Sequence, residues 1–442
     1  MSLPDYASQI LDAVRSQGAE ADLIVNAKTS LSLKARDGKL DEQAVSDTRV
    51  LGLRVIKDQR VGIAYSEATD PDALTHLVEQ ALLNARFNQP APHEQIAANA
   101  QTLHTDDAQL CPDSSFSTEQ RIDLALYLER ELAARPNIRN VPNNGVQESI
   151  SQASVYSTQG LVATSRQRMN ALYAFALAAD GDLTAMSGTG QVVRLGEHLN
   201  ADSVIEEAHR EATALLRGEP VPSGAYDVIF DRDNLSAIFN AFGMMWSGKA
   251  AQDGVNPWRD QVGQSVASAQ LNISDQPLDT DGFGYALFDA EGTATAPTLL
   301  IMNGVLHTLM HNTVTASALG TESTGHAQRG PRSPLSVGEH QLEIAPGKIS
   351  TSDLTAGEYL EITALQGTHS GANALSGDFS FGASGYLCRD GERQRPVRGI
   401  TVAGNFYQLL TRIDAIGNRA EWTWQKGLKT PLLRFGAVAI SG

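Results

Sequence analysis

The sequence predicts an α+β protein, with an N-terminal α/β domain followed by a mainly antiparallel β domain. Helical and strand periodicities are mixed in the first half, without regular βαβ alternation. From Val305 onward the chain consists almost entirely of short alternating runs separated by Gly, Pro and Asn-Gly turns. Residues 218–224 contain two prolines and two glycines and show no periodic pattern. We therefore place the domain boundary there and predict domains over residues 1–220 and 221–442.

In the first domain the patterns predict four helices and several strands. The helices begin near Tyr6, after Asp70-Pro71, at Ser117 with a capping box, and near Ser203 with Glu206. Strands are predicted around residues 31–33, 50–56, 61–65, 147–156, 161–166 and 169–179, and residues 88–116 are predicted to form a connecting loop. In the second domain a strand over residues 226–230 precedes a helix over residues 234–246.

Composition and charge exclude several classes of protein. The chain has 442 residues, and 34 Lys and Arg against 51 Asp and Glu give a formal net charge of −17. Such a chain repels phosphate backbones and anionic lipids, so we expect no nucleic-acid or membrane partner. Asp5 stands where a secretory signal would be basic, and no apolar run approaches 18 residues. Cys111 and Cys388 are the only cysteines, which fits a reducing cytoplasm.

Histidines provide a first candidate site. His307 and His311 are four residues apart, a spacing that would place both on one face of a helix, as in zinc proteases. The turn signal Asn303-Gly304 favours a strand instead, in which the two rings would be about 13 Å apart, so structural or surface roles are favoured. His326 and His369 stand alone in polar segments and are predicted to be solvated.

A second candidate is the segment Gly377-Asp378-Phe379-Ser380-Phe381-Gly382. Its phenylalanines alternate with small residues, as in a strand with a buried aromatic face. The same pattern suits a strand edge that binds an extended peptide by strand addition, with Gly377, Asp378, Phe379 and Phe381 as substrate-binding residues. Spacing alone does not decide between the two. No G-x-S-x-G nucleophile elbow is present.

Eight segments, taken in order and spacing, resemble the TldD/PmbA family, and more closely its PmbA (TldE) branch. They are residues 50–64, 275–292, 303–306, 315–320, 323–325, 376–380, 401–405 and 413–417. The resemblance implies an N-terminal α/β domain, a mainly β C-terminal domain and dimerisation. It also implies part of a cytosolic TldD/TldE zinc metalloprotease that processes or degrades unfolded peptides, such as a microcin precursor and an addiction-module antidote. The older family name, modulator of DNA gyrase, does not imply contact with DNA.

The sequence departs from the TldD pattern at the zinc site. The TldD motif H-E-x-x-x-H corresponds here to residues 240–245, so that Asn240 and Met245 replace the histidines and Ala241 replaces the general-base glutamate. An amide and a thioether are poor zinc ligands, and alanine cannot accept a proton from water. Residues 420–430 also lack the C-terminal cysteine ligand. The resemblance therefore implies no metal in this chain and zinc in a TldD-like partner.

Three hypotheses follow from these observations. The first is a non-catalytic, substrate-holding subunit of a two-protein metalloprotease. The second is a stand-alone homodimeric peptide-binding or chaperone-like module without hydrolysis. The third is an independent metal hydrolase that uses His307, His311 and a carboxylate such as Glu322.

Overall fold

The computed structural model describes residues 3–98 and 100–442. The N-terminal half contains five α-helices and seven strands within the described residues. The helices are α1 (Asp5–Ser16), α2 (Pro71–Phe87), α3 (Asp107–Leu110), α4 (Thr118–Ala133) and α5 (Ala201–Ala214). The strands are β1 (Glu20–Arg36), β2 (Lys39–Lys57), β3 (Arg60–Ser66), β4 (Thr102–His104), β5 (Ile138–Ser157), β6 (Val162–Asp180) and β7 (Leu183–Val193).

These seven strands form one sheet in the order β3-β2-β1-β5-β6-β4, with β7 on β6. The pairs are antiparallel except β4–β6, which is parallel. The apolar stripes of α1 and α2 pack on the β1–β3 side, and those of α4 and α5 pack on β5–β7. The predicted loop over residues 88–116 was wrong in part, because it contains β4 and α3. The cap of α5 is Asn200 rather than Ser203, since the Asn200 side chain accepts a hydrogen bond from the Ser203 N–H.

The C-terminal half contains short helices and two six-stranded sheets. The helices are α6 (Arg232–Ala241), α7 (Gly248–Gln252), α8 (Thr313–Leu319), α9 (Thr351–Leu354) and α10 (Phe406–Thr411). The first strands are β8 (Gly224–Phe230), β9 (Ile273–Asp275), β10 (Thr298–Met302), β11 (Val305–Leu306), β12 (Ala327–Gln328), β13 (Ser336–Val337) and β14 (Leu342–Ile344). The remaining strands are β15 (Glu358–Gln366), β16 (Asp378–Arg389), β17 (Glu392–Asn405), β18 (Ile413–Ile416), β19 (Glu421–Trp422), β20 (Leu428–Thr430) and β21 (Leu433–Ser441).

One of these sheets closes on itself. Its order is β17-β16-β15-β8-β21-β18, and a further pairing between β17 and β21 completes a ring of five strands. The second sheet runs β11-β10-β9-β14-β20-β19. Side chains of both sheets and of α6 share one apolar core, in which Phe242 stacks on Phe406 with ring centroids 4.6 Å apart. The α+β prediction is confirmed. No helix in the described part of the chain is long and apolar enough to cross a membrane.

Candidate functional site

Helix α6 begins at a tightly bonded cap. The Asp231 carboxylate accepts hydrogen bonds from the backbone N–H of Asn234 (2.7 Å) and from its side-chain Nδ2 (2.8 Å). The Asn234 Oδ1 atom in turn accepts a hydrogen bond from the backbone N–H of Leu365 on β15 (2.8 Å). Burial raises the pKa of Asp231 to about 7. These bonds fix the start of α6 against the closed sheet.

The helix ends earlier than the sequence pattern predicts. It stops at Ala241, and residues 243–246 form a 3₁₀ turn, so the predicted helix to Trp246 was wrong. The Nδ2 group of Asn256 lies within hydrogen-bond distance of the carbonyl oxygens of Met244 (2.9 Å) and Met245 (3.1 Å), which satisfies these carbonyls outside a helix. The turn carries Met245 and Trp246 into the core.

This break separates the positions that the family resemblance predicts to correspond to the TldD zinc motif. Asn240 is exposed at the end of α6, whereas Met245 is completely buried in the apolar core. Ala241 is partly buried against the same core. The side chains at 240 and 245 therefore lie in different environments and do not converge. The residues present do not fit a zinc ion, because they offer an amide, a methyl group and an inward-facing thioether.

A groove of about 330 Å³ lies beside α6. Its wall is formed by α6, by the start of β14 with the preceding residues, and by the segment between β19 and β20. The Asp233 Oδ1 atom accepts a hydrogen bond from the backbone N–H of Trp424 (3.0 Å), which holds two sides of the groove together. We call this the α6 groove. The polar and aromatic side chains that line it include Asp233, Ser236, Asn240, Glu339, His340 and Trp424.

His340 is held at the groove by three contacts. Its Nε2 lies 3.0 Å from the carbonyl oxygen of Gly325, and its backbone N–H donates to Asp275 (3.1 Å). Its ring stacks on that of His326, with centroids 5.0 Å apart and planes 15° apart. Burial lowers the pKa of His340 below the ordinary histidine value, although the Asp275 charge opposes this shift. The neutral imidazole is therefore the form present at neutral pH.

His326 lies behind His340 and is not solvated. Only 1% of the residue is exposed, and its Nε2 lies 3.1 Å from the buried carboxylate of Asp275. Its Nδ1 is 2.8 Å from the hydroxyl of Thr324. The prediction of a solvated His326 was wrong, because this turn folds inward onto β9. His369 is exposed, as expected.

The structure does not bring His307 and His311 together at a metal site. His307 is exposed in a segment without regular structure, while His311 is buried beside Thr315, with 3.3 Å between Nδ1 and the hydroxyl. Glu322 is exposed. Over residues 3–98 and 100–442, no three His, Cys, Asp or Glu side chains are grouped so that they could hold a metal ion. The geometry therefore gives the third hypothesis no support.

The segment from Gly377 to Gly382 leads into and begins β16. Phe379 and Phe381 are buried in the core, with ring centroids 5.1 Å apart. The strand pairs with β17 on one side, and residues 371–373 cover its other edge at the start. The free edge that peptide binding by strand addition requires is therefore not present at this segment, and the two rings pack in the core, as in the alternative of a strand with a buried aromatic face.

The two remaining residues of this candidate lie at the start of the segment, where Gly377 is buried and Asp378 is exposed. Asp378 is exposed and accepts hydrogen bonds from the side chains of Ser376 (2.8 Å) and Asn405 (3.0 Å). Gly377 precedes it with a φ of +86°, a left-handed conformation that favours glycine. Substrate contact by Gly377 and Asp378 stays a prediction.

Sequence reasoning did not single out His340 or Asp275. Asp275 begins one of the segments that resemble the family but was given no role there, His340 stands in no recognisable motif, and the two residues are 65 positions apart in the chain. Only the pairing of β9 with β14 brings the Asp275 carboxylate under the backbone of His340 and Gln341. No local sequence signal reports such a contact.

Comparison with known proteins identifies the family. Three family models match in succession: PmbA/TldA metallopeptidase domain 1 over residues 21–85, the central domain over 111–216 and the C-terminal domain over 223–442. The chain belongs to the PmbA/TldD family. The resemblance drawn from the sequence motifs is therefore confirmed, and the relatives of this PmbA/TldD chain include proteins named PmbA.

Relatives match the PmbA/TldD chain over nearly its full length. It is 25% identical to the metalloprotease PmbA of Escherichia coli O157:H7, over 95% of this chain and 92% of that protein. It is 26% identical to a metalloprotease of Methanothermobacter thermautotrophicus, over 94% of this chain and 91% of that protein. Among solved structures, a protein of Thermotoga maritima described as a modulator of a DNA gyrase matches with a TM-score of 0.86, 25% identity and 99% coverage of both chains. TldE from Thermococcus kodakarensis has the same fold, with a TM-score of 0.87, 20% identity, and coverage of 99% of this chain and 100% of that one.

Proposed function

We propose that this chain is the non-catalytic subunit of a two-protein metalloprotease that processes or degrades unfolded peptides. In this proposal the chain holds an extended peptide, and a TldD-like partner supplies the zinc ion and the water that attacks the amide. The relatives named as metalloproteases support the reaction class.

One observation supports the assignment of peptide binding to this chain and of hydrolysis to its partner. At the positions that correspond to the zinc motif, Asn240 is exposed, Ala241 has no proton acceptor and Met245 is buried in the core. A hydrolytic zinc site needs three protein ligands and an open position for water. These three residues do not supply that arrangement. The α6 groove next to Asn240 remains open, which suits binding rather than hydrolysis.

We further propose a cytoplasmic location and two states of assembly. The chain forms a homodimer when isolated and a mixed complex with its TldD-like partner. The net charge of −17 opposes binding to DNA, so the proposed partners are a protein and its peptide substrates.

Metal content and peptidase activity, measured with and without a TldD-like protein, test the proposal. We expect the pure chain to contain no stoichiometric zinc and to cleave no unfolded peptide. We expect the mixed complex to contain zinc and to cleave the peptide. Peptide binding without any effect on a TldD-like protein would favour the stand-alone binding module. Tightly bound zinc together with cleavage by the pure chain would overturn the proposal.

A further inference from the structure

The α6 groove presents hydrogen-bond acceptors and negative charge. Asp233 and Glu339 supply two carboxylates, and none of the described residues that line the groove is a lysine or arginine. The neighbouring cations are engaged elsewhere, since Arg232 pairs with Glu421 (3.0 Å) and Lys426 lies 5.9 Å from the centre of an aromatic ring. A ligand that enters this groove therefore meets two carboxylates and no lysine or arginine in the described lining, although the Arg232 charge acts on Asp233 from outside the groove.

His340 contributes a third acceptor, and its orientation is fixed. A carbonyl oxygen can only accept a hydrogen bond, so the Nε2 atom that contacts the Gly325 carbonyl must carry the proton. In the neutral ring, the Nδ1 atom is then unprotonated and its lone pair can accept a hydrogen bond. Among the described residues Nδ1 has no hydrogen-bond partner, while His340 lines the groove. Stacking on His326 prevents the ring from turning freely.

Protonation of His340 is opposed by its surroundings. Burial lowers its pKa, His326 lowers it further, and the Asp275 carboxylate raises it. Glu339 and Asp233 are the other titratable groups at the groove. The lone pair of Nδ1 is thus available near neutral pH.

We propose that the α6 groove binds a primary ammonium group of a peptide, with the Nδ1 atom of His340 and the carboxylates of Glu339 and Asp233 as its acceptors. This inference rests on the proposed peptide-holding function. An ammonium has three donors and no acceptor, which matches a groove whose charged groups are all acceptors. The Trp424 ring offers an aromatic surface that suits a cation. The ammonium is either the peptide N-terminus or a lysine side chain.

Binding of short fluorescent peptides to the full chain tests the inference. The probes are an unstructured Ala/Ser pentapeptide with a C-terminal fluorophore, its N-acetylated form, and an N-acetylated form with one lysine. Fluorescence anisotropy gives the affinities. We expect the free amine to bind about tenfold or more tightly than the acetylated peptide, because hydrogen bonds to charged groups are strong. If the acetylated peptide with one lysine binds as tightly as the free-amine peptide, the site is assigned to lysine side chains.

Two substitutions at one position separate binding from folding. His340→Gln keeps a donor for the Gly325 carbonyl and lacks the Nδ1 lone pair, so we expect it to abolish the preference for the free amine. His340→Asn keeps an acceptor near the Nδ1 position and should retain part of that preference. Glu339→Gln should weaken amine binding about threefold. His369→Gln, at an exposed histidine away from the groove lining, is the control and should bind as the wild type does.

The outcomes distinguish this inference from the function on which it rests. Equal binding of free and acetylated peptides would overturn the ammonium site and leave peptide holding intact. Loss of the preference in His369→Gln as well as His340→Gln would also overturn it. Absence of binding for all three peptides, to the chain alone and to its complex with a TldD-like protein, would overturn both proposals.

Discussion

Arg329, in the C-terminal half, donates a hydrogen bond from Nη2 to Oδ1 of Asp22 in β1 of the N-terminal sheet. Both side chains are almost fully buried. Asp22 also accepts hydrogen bonds from Arg54 on β2, whose other neighbours are Glu94 (2.9 Å) and Glu291 (3.5 Å). The two halves of the chain are therefore joined by a buried ionic cluster.

Removal of one charge from this cluster should be costly. Asp22→Ala leaves two buried guanidinium groups without their shared carboxylate, and we expect the free energy of unfolding to fall by about 3–5 kcal/mol. Urea denaturation measures the change. Glu67→Ala is the matched control, because Glu67 pairs with Arg332 at the surface between the same two halves and should matter little. Equal losses in the two variants would contradict the importance of burial.

Gly52→Ala should disturb the same junction. A Cβ atom at Gly52 would lie 2.3 Å from the Cα of Pro331, a backbone atom that cannot move aside cheaply. We expect a loss of about 1–3 kcal/mol in the free energy of unfolding, from overpacking. Gly243→Ala, where a Cβ meets nothing within 4 Å, is the control. A wild-type unfolding midpoint for Gly52→Ala would show that the loop at Pro331 shifts freely.

Met245→His should not create a zinc ligand. The side chain lies in the apolar core, so an imidazole there loses packing contacts and buries a polar group. We expect the free energy of unfolding to fall by about 2–5 kcal/mol. Denaturation and metal analysis of the purified variant measure both effects. Met302→His, at a methionine that is 40% exposed, is the control. Stoichiometric zinc in a stable Met245→His variant would refute the placement of this residue.

Substitutions in the Gly377 segment distinguish folding from substrate contact. Phe379→Ala removes a ring that packs on Phe381 in the core and should lower the free energy of unfolding by about 3–5 kcal/mol. Asp378→Asn, at an exposed position, should leave folding little changed. Peptide affinity and denaturation are measured together. Wild-type affinity in Asp378→Asn would argue against substrate contact by this carboxylate.

Asp231 should make stability depend on pH. Its folded pKa of about 7 exceeds the value of about 3.9 for an unfolded aspartate, so the folded state binds more protons between these values. Stability should therefore fall as the pH rises from about 4 to about 7. Asp231→Asn keeps an N-cap acceptor and lacks this titration, so its stability relative to the wild type should rise over that window. The neighbouring carboxylates of Asp233 and Glu361 act in the same direction as burial.

Urea midpoints on either side of this pH window measure the difference. Asp70→Asn is the control, because Asp70 caps α2 at an exposed position, where it accepts a hydrogen bond from the Ala73 N–H (3.1 Å). A constant difference between Asp231→Asn and the wild type across the window would contradict the titration of Asp231.

Local patterns predicted much of the architecture. The apolar stripe of α2 and the Asp70-Pro71 start were visible because a helix repeats every 3.6 residues and its caps are local. The capping box of Ser117 and Gln120 is formed as predicted. The end of α6 was missed because Met245 continues an apolar helical stripe in the sequence. The helix ends before it, since the side chain of Asn256, eleven residues further along, donates hydrogen bonds to the carbonyl oxygens of the turn.

The order of residues was enough to predict the class of fold and the family, because side-chain chemistry and local periodicity can be read from the sequence itself. The replacement of the zinc-motif residues at positions 240, 241 and 245 stays a prediction from the family resemblance. Three-dimensional packing was needed to establish that Met245 is buried while Asn240 is exposed, that His326 is buried, and that His340 lines the groove. These facts depend on strand pairing and on helix termination by distant residues. Burial and contact across such distances are properties of packing, which no local pattern specifies.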